Sequence, residues 1–143
     1  MTASRRGCGG VAAVWLLAAS AAAATGPSPL AGHADADTVV IVTRDEDGSP
    51  RETTIWLAVV DGRAFVRTGS SRWGGNAERD PRVELRVGER RFAALARPVE
   101  DPELRRRVEE AFRQKYGFTD WLIGLFRGDH PRIFELLPRH PDN

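Results

Sequence analysis

The chain has one cysteine in 143 residues, which excludes a disulfide-stapled fold and any site built from several thiolates. Histidine is also scarce: His33, His130 and His140 are scattered, and no two of them have metal-ligand spacing, so no metal site is expected. The Gly-x-Ser-x-Gly elbow of a serine hydrolase is missing, since the nearest candidate reads Thr68-Gly69-Ser70-Ser71-Arg72. The Gly-x-Gly-x-x-Gly turn of a dinucleotide-binding domain is missing too, with only Gly69 and the Gly74-Gly75 pair in the relevant region. Neither sign of charge dominates. There are 21 basic and 20 acidic side chains, and without Arg5 and Arg6 the balance is 19 against 20, which argues against nucleic acid as a partner.

The longest apolar run, Val11 to Ala24, is alanine-rich and falls short of the roughly 20 residues that span a bilayer. Behind Arg5 and Arg6 it reads as the apolar region of a secretory signal peptide, so residues 1–24 are expected to direct export to the periplasm or beyond. Ser4-Arg5-Arg6 hints at the twin-arginine route, although the apolar residue usual after the pair is absent. Ala22 and Ala24 have the spacing signal peptidase prefers, and Ala34 with Ala36 offers a later alternative. Cys8 lies ahead of the apolar run and leaves with the signal, and no stable membrane span is expected after cleavage.

Residues 25–37 are Pro, Gly, Ala and Asp without periodicity, and are expected to form a flexible tether. One domain is expected over residues 38–138, with a tail at 139–143. Val39 to Val42 and Thr54 to Val60 read as strands around the turn cluster Asp45 to Pro50. Asp61-Gly62 then leads into Ala64 to Arg67, a strong hairpin signal, so three consecutive antiparallel strands are expected. Residues 72–80 are expected to form one or two helical turns, weakened by Gly74 and Gly75 and ended by Pro81. Val83, Leu85 and Val87 alternate as in a half-buried strand, and a further strand runs from Arg90 to Val99, with Pro98 suggesting a sheet edge. Pro102, Leu104, Val108, Ala111 and Phe112 mark one long helix reaching Tyr116-Gly117. Phe118 to Phe126 reads as a short helix or covering loop, and Ile133 to Leu137 as a closing strand. The pattern fits a small antiparallel barrel or an α+β sheet with helical cover.

Groups able to hold a phosphate concentrate at Arg67, Thr68, Ser70, Ser71 and Arg72, with Arg51, Thr53 and Thr54 on the preceding strand. Guanidinium forks supply charge and paired donors, hydroxyls add short hydrogen bonds, and a helix N-terminus near Arg72 adds amides. Trp73 can then cover an aromatic ring. The same residues also read as a solvated turn with Trp73 in the core. Trp56, Phe118, Trp121 and Phe126 read as packing residues.

The order of Thr54-Ile55-Trp56, Asp61-Gly62, Phe65-Val66-Arg67, Arg72-Trp73-x-x-Asn76 and Asp80-Pro81-Arg82-Val83-Glu84-Leu85 resembles the split-barrel superfamily of flavin and deazaflavin reductases related to pyridoxamine-phosphate oxidase. Ala111-Phe112-x-x-Lys115-Tyr116-Gly117, following Arg97-Pro98-Val99-x-Asp101, resembles a small bacterial subfamily of unknown function. The resemblance implies a mostly β fold, a split antiparallel barrel with one long helix and one or two short ones. It implies a homodimer holding FMN or a deazaflavin, with Thr53, Arg67, Ser70, Ser71 and Arg72 on the phosphate and Trp73 and Asn76 on the helix beside it. The cofactor would then perform an oxidoreductase reaction, so no catalytic residue is assigned. The alternatives are a non-catalytic module binding another ligand such as haem, and a structural dimeric barrel.

Overall fold

The structure, a computed structural model, describes residues 27–127 and 131–140, with side chains along the last helix described as far as Gly117 and at Thr119. The expected signal peptide, His130 and the side chains of Phe118, Trp121 and Phe126 lie outside what is described.

Seven strands form one antiparallel sheet: β1 (Val39–Arg44), β2 (Pro50–Ile55), β3 (Ala58–Val60), β4 (Arg63–Thr68), β5 (Arg82–Val87), β6 (Arg90–Pro98) and β7 (Arg132–Pro138). Their order is β2-β1-β5-β6-β7-β4-β3. Local turn chemistry sets the hairpins. Asp61 and Gly62 both have positive φ, 51° and 72°, as the tight β3–β4 turn requires, and Gly88, at φ 59°, turns β5 into β6.

The expected third partner of that hairpin series does not materialise. The apolar run Thr54 to Val60 breaks at Trp56-Leu57, so that β2 pairs only with β1 and β3 only with β4. This break closes the barrel. Flat, a sheet of this width would hold its edges about 29 Å apart at about 4.8 Å per strand. Ile55 on one edge and Ala58 on the other are three Cα steps apart, at most about 11 Å. The sheet must therefore curl until its two edges nearly meet, which makes it a split barrel. Pro98 ends an interior strand rather than an edge one, because β7 arrives from far along the chain to pair with both β6 and β4.

Alternation then sorts side chains onto two faces. Val39, Ile41, Ile55, Ala64, Val66, Val83, Leu85, Ala94, Ala96, Phe134 and Leu136 fill the barrel. On the outer face, Ala58, Phe65, Val99 and Ile133 pack under Val108 and Phe112 of helix α2 (Pro102–Arg127). That helix starts on Asp101, whose carboxylate accepts from the Leu104 amide at 3.0 Å, with Pro102 in its first turn. Gly117 breaks it with φ 55° and ψ −127°, a conformation that only glycine adopts without strain, and helical backbone resumes beyond. Just before the kink, Tyr116 stacks on Trp56 with ring centroids 4.2 Å apart. The Lys115 ammonium donates to the Ala36 and Leu57 carbonyls at 2.7 and 2.8 Å. Lys115 and Tyr116 thus clasp the strand crossover.

The expected tether is folded from Ser28 onward. The Ser28 amide donates to the Gly62 carbonyl at 2.9 Å, a 3-10 turn spans Pro29–His33, and Leu30 is only 2% exposed within the barrel core. A single apolar residue in a five-residue turn has no period to detect, so the sequence pattern missed it.

Candidate functional site

Helix α1 (Arg72–Arg79) carries the centre of the expected ligand constellation. Its two glycines do not prevent it from forming. Ser71 caps it, accepting from the Gly74 amide at 3.2 Å and from the Thr68 hydroxyl at 2.7 Å. Gly74 lets the helix sit close to the sheet: a Cβ there would meet the Thr68 methyl at 2.7 Å and an Arg132 nitrogen at 3.0 Å.

Arg132 holds the loop from beneath. Its guanidinium donates to the Gly69 carbonyl at 2.8 and 3.2 Å and to the Ser71 carbonyl at 3.2 Å, and pairs with Glu78 at 2.9 Å. No local pattern could have found this residue, because it lies more than sixty positions from the loop it supports.

The seven expected ligand residues divide sharply. Ser70 and Arg72 are exposed at the start of α1. Trp73 is 5% exposed inside the barrel, its ring 6.1 Å from that of Phe134, so it is a core residue and offers no platform to solvent. Asn76 is 3% exposed and donates to the Thr43 hydroxyl at 3.2 Å and the Asp45 carboxylate at 2.7 Å, tying α1 to the β1–β2 turn. The Ser71 hydroxyl is occupied by capping. Thr53 is half-buried on β2, on the same face as Ile55.

Arg67 lies on the face of β4 opposite to Val66 and Thr68, beneath α2. Its side chain is 3% exposed, ion-paired with Glu109, and its guanidinium lies 4.3 Å from the centre of the Phe112 ring. The expected cluster of Arg67 with Arg51 and Thr54 does not form through a hairpin, because β2 and β4 are not neighbours. Arg51 instead makes a forked pair with Asp45 at 2.7–3.1 Å.

What faces solvent is a cavity of about 380 Å³ lined by Arg72, Asn76, Asp45, Glu46 and Asp47. The Asp45 carboxyl is lowered to about 2, first by the Arg51 hydrogen bond and then by that of Asn76. On the outer face, Glu135 is 4% exposed between Arg63, at 2.7 and 2.8 Å, and Arg97, at 2.5 Å, and these guanidinium bonds hold its carboxyl below the ordinary 4.5.

Both carboxyls have depressed folded-state pKa values. Their contribution to stability is present above the unfolded values of 3.8 and 4.5 and is lost as pH falls through the folded ones. The melting temperature is therefore expected to drop between about pH 4.5 and pH 2, and Asp45→Asn with Glu135→Gln should flatten that acid limb. An unchanged acid limb in the double variant would assign acid sensitivity to other groups.

Among the described residues, no group of three or more His, Cys, Asp and Glu is placed to hold a metal, and no helix is long and apolar enough to cross a membrane.

The fold is shared with several solved structures. A conserved hypothetical protein of Mycobacterium tuberculosis is 24% identical, with a TM-score of 0.63 over 78% of this chain and 79% of its own. HutZ, a heme storage protein of Vibrio cholerae, is 22% identical, with a TM-score of 0.60 over 73% and 82%. An FAD-binding protein of Mesorhizobium loti is 14% identical, with a TM-score of 0.57 over 76% and 83%. At these identities the likeness establishes the fold. No curated protein matches the sequence. The model of the family described as "uncharacterized protein conserved in bacteria (DUF2255)" matches residues 30–129, from the Leu30 anchor through the whole of α2, and the chain belongs to that family.

Proposed function

We propose that this is an exported, homodimeric split barrel that binds the phosphate of a flavin or deazaflavin and serves an oxidoreductase reaction. The carrying observation is the pairing of an exposed hydroxyl, Ser70, with an exposed guanidinium, Arg72, on a loop held rigid by Arg132 and the Ser71 cap. The FAD-binding neighbour supports this reading as a precedent for the fold.

The fit is narrower than the seven residues that the resemblance implies. The reading draws on Ser70 and Arg72, which are exposed, whereas Arg67, Ser71, Trp73 and Asn76 make their contacts within the fold and Thr53 is half-buried on β2. Glu46 and Asp47 beside Arg72 oppose a dianion, so affinity would come chiefly from apolar contact with the ring system and from the second subunit. A bound flavin would supply hydride or electron transfer. The protein's own residues would anchor the phosphate and hold the loop. Export rests on Arg5, Arg6 and the Val11 to Ala24 run.

The test is the absorption spectrum of the purified protein, followed by titration with FMN and F420. Flavin or deazaflavin binding that weakens at least tenfold in Ser70→Ala/Arg72→Ala, with folding intact, is the expected result. A protein that binds neither at high micromolar concentration would sink the proposal.

A second reading, a non-catalytic haem carrier, draws on a different cavity of about 430 Å³. Leu30, Phe92, Ala94, Leu136 and Pro138 line it, with Arg91, Arg139 and His140 among its polar residues. It predicts a Soret band on haem titration that shifts in His140→Ala, so the same spectra separate the two readings.

A further inference from the structure

We infer that export processing cuts the chain ahead of Ser28, after Ala22-x-Ala24, and leaves residues 28–36 in the mature protein. The inference rests on the export reading and decides between Ala22-x-Ala24, the motif expected from the sequence, and its later alternative Ala34-x-Ala36, a choice that sequence alone leaves open. Hydrolysis after Ala24 consumes one water and leaves a carboxylate on Ala24 and a new amino terminus on Thr25. Hydrolysis after Ala36 would start the mature chain at Asp37.

Three features of the fold oppose the later cut. The first is the barrel core. Leu30 is 2% exposed among the side chains that fill the barrel, and Ser28 and Pro29 join it in walling the apolar cavity beside Phe92 and Leu136. Removing residues 25–36 would take away this plug and open the core to water.

The second is hydrogen bonding. The Ser28 amide pairs with the Gly62 carbonyl at 2.9 Å, and the Ser28 hydroxyl accepts from the Leu30 amide at 3.3 Å, fixing the start of the 3-10 turn. These bonds tie the segment to the β3–β4 turn, far along the chain.

The third lies at the alternative scissile bond itself. The Ala36 carbonyl accepts from Lys115, the Asp37 carbonyl from the Tyr116 hydroxyl at 2.8 Å, and the Ala36 amide donates to His33 at 3.0 Å. A peptidase must take its substrate as an extended strand with free backbone groups, and here both carbonyls flanking the Ala36–Asp37 bond are engaged. A chain that folds before export presents no cleavable strand there. A chain that folds afterwards would lose its core plug if cut there.

The family match supplies an independent line: it begins at residue 30 and so includes Leu30 to Ala36. A discarded leader would be expected to fall outside the shared domain.

Two measurements test the inference. Intact-mass analysis and N-terminal sequencing of the full-length chain expressed in an exporting host should give a mature protein starting at Thr25. A start at Asp37, or at any residue beyond Ser28, overturns the inference. In the same full-length chain, Leu30→Asp should lower the melting temperature by about 10 °C or more, whereas an unchanged melting temperature would show that residues 28–36 are dispensable and overturn it. A protein that stays uncut in the cytoplasm defeats the export reading and, with it, the cleavage assignment, while the Leu30→Asp result still reports separately on the segment's place in the fold.

Discussion

Phe112→Ala is expected to destabilise the protein by about 3–5 kcal/mol, the range for emptying an aromatic site in a packed core. Phe112 is fully buried at the centre of the outer core, where Ala58, Phe65, Val99, Val108 and Ile133 converge. Those neighbours belong to β3, β4, β7, the end of β6 and α2 itself, so the void cannot be filled by moving one loop. The ring also supports the Arg67 guanidinium, 4.3 Å from its centre, a cation–π contact of about 2 kcal/mol where it is shielded from water. Urea unfolding would measure the loss, and amide exchange along Leu104 to Tyr116 should rise with it. A loss below about 1.5 kcal/mol would mean that α2 is peripheral to stability.

The second large effect is at the ion pair beside that ring. Glu109→Ala is expected to remove about 2–4 kcal/mol, because it takes away the carboxylate paired with an almost fully buried guanidinium. Burying an arginine is unfavourable to the extent that its charge loses compensation, so deleting Glu109 alone should hurt more than replacing both residues. Arg67→Met with Glu109→Leu should therefore recover much of the stability lost in Glu109→Ala, giving a coupling of at least about 1 kcal/mol in a double-mutant cycle. Additive single-mutant effects would show the pair to be incidental. The cycle also bears on function. If Arg67 were a phosphate ligand, the double replacement would abolish cofactor binding even with stability restored. As a structural residue beneath α2, it should leave the cofactor binding proposed for Ser70 and Arg72 largely intact.

Much of the architecture was legible in the sequence, because the signals concerned act over a few residues. Asp61-Gly62 marks a turn through its tolerance of positive φ, alternation marks β5, and Pro102 to Tyr116 shows the period of a helix docked on one side. The resemblance correctly pointed to a split barrel. Trp73 and Asn76 were harder. A tryptophan after a Ser/Arg loop has the same sequence signature whether it faces a ligand or the core, and only the inward pitch of α1, permitted by Gly74, sends it inside. The folded segment at Ser28 to Ala36 was missed for the opposite reason, since its anchor is one leucine without a repeat.

Sequence by itself determined most of the strands, the Asp61-Gly62 turn and the helix from Pro102, because those choices rest on backbone sterics, side-chain period and caps within a few positions. Only the tertiary structure decided that Thr54 to Val60 splits between the two edges of the sheet, that β7 closes it between β6 and β4, and that Arg67 lies beneath α2 while Ser70 and Arg72 face water. Those outcomes depend on pairings between residues dozens of positions apart, whose free energy comes from a shared core that no local stretch of chain contains.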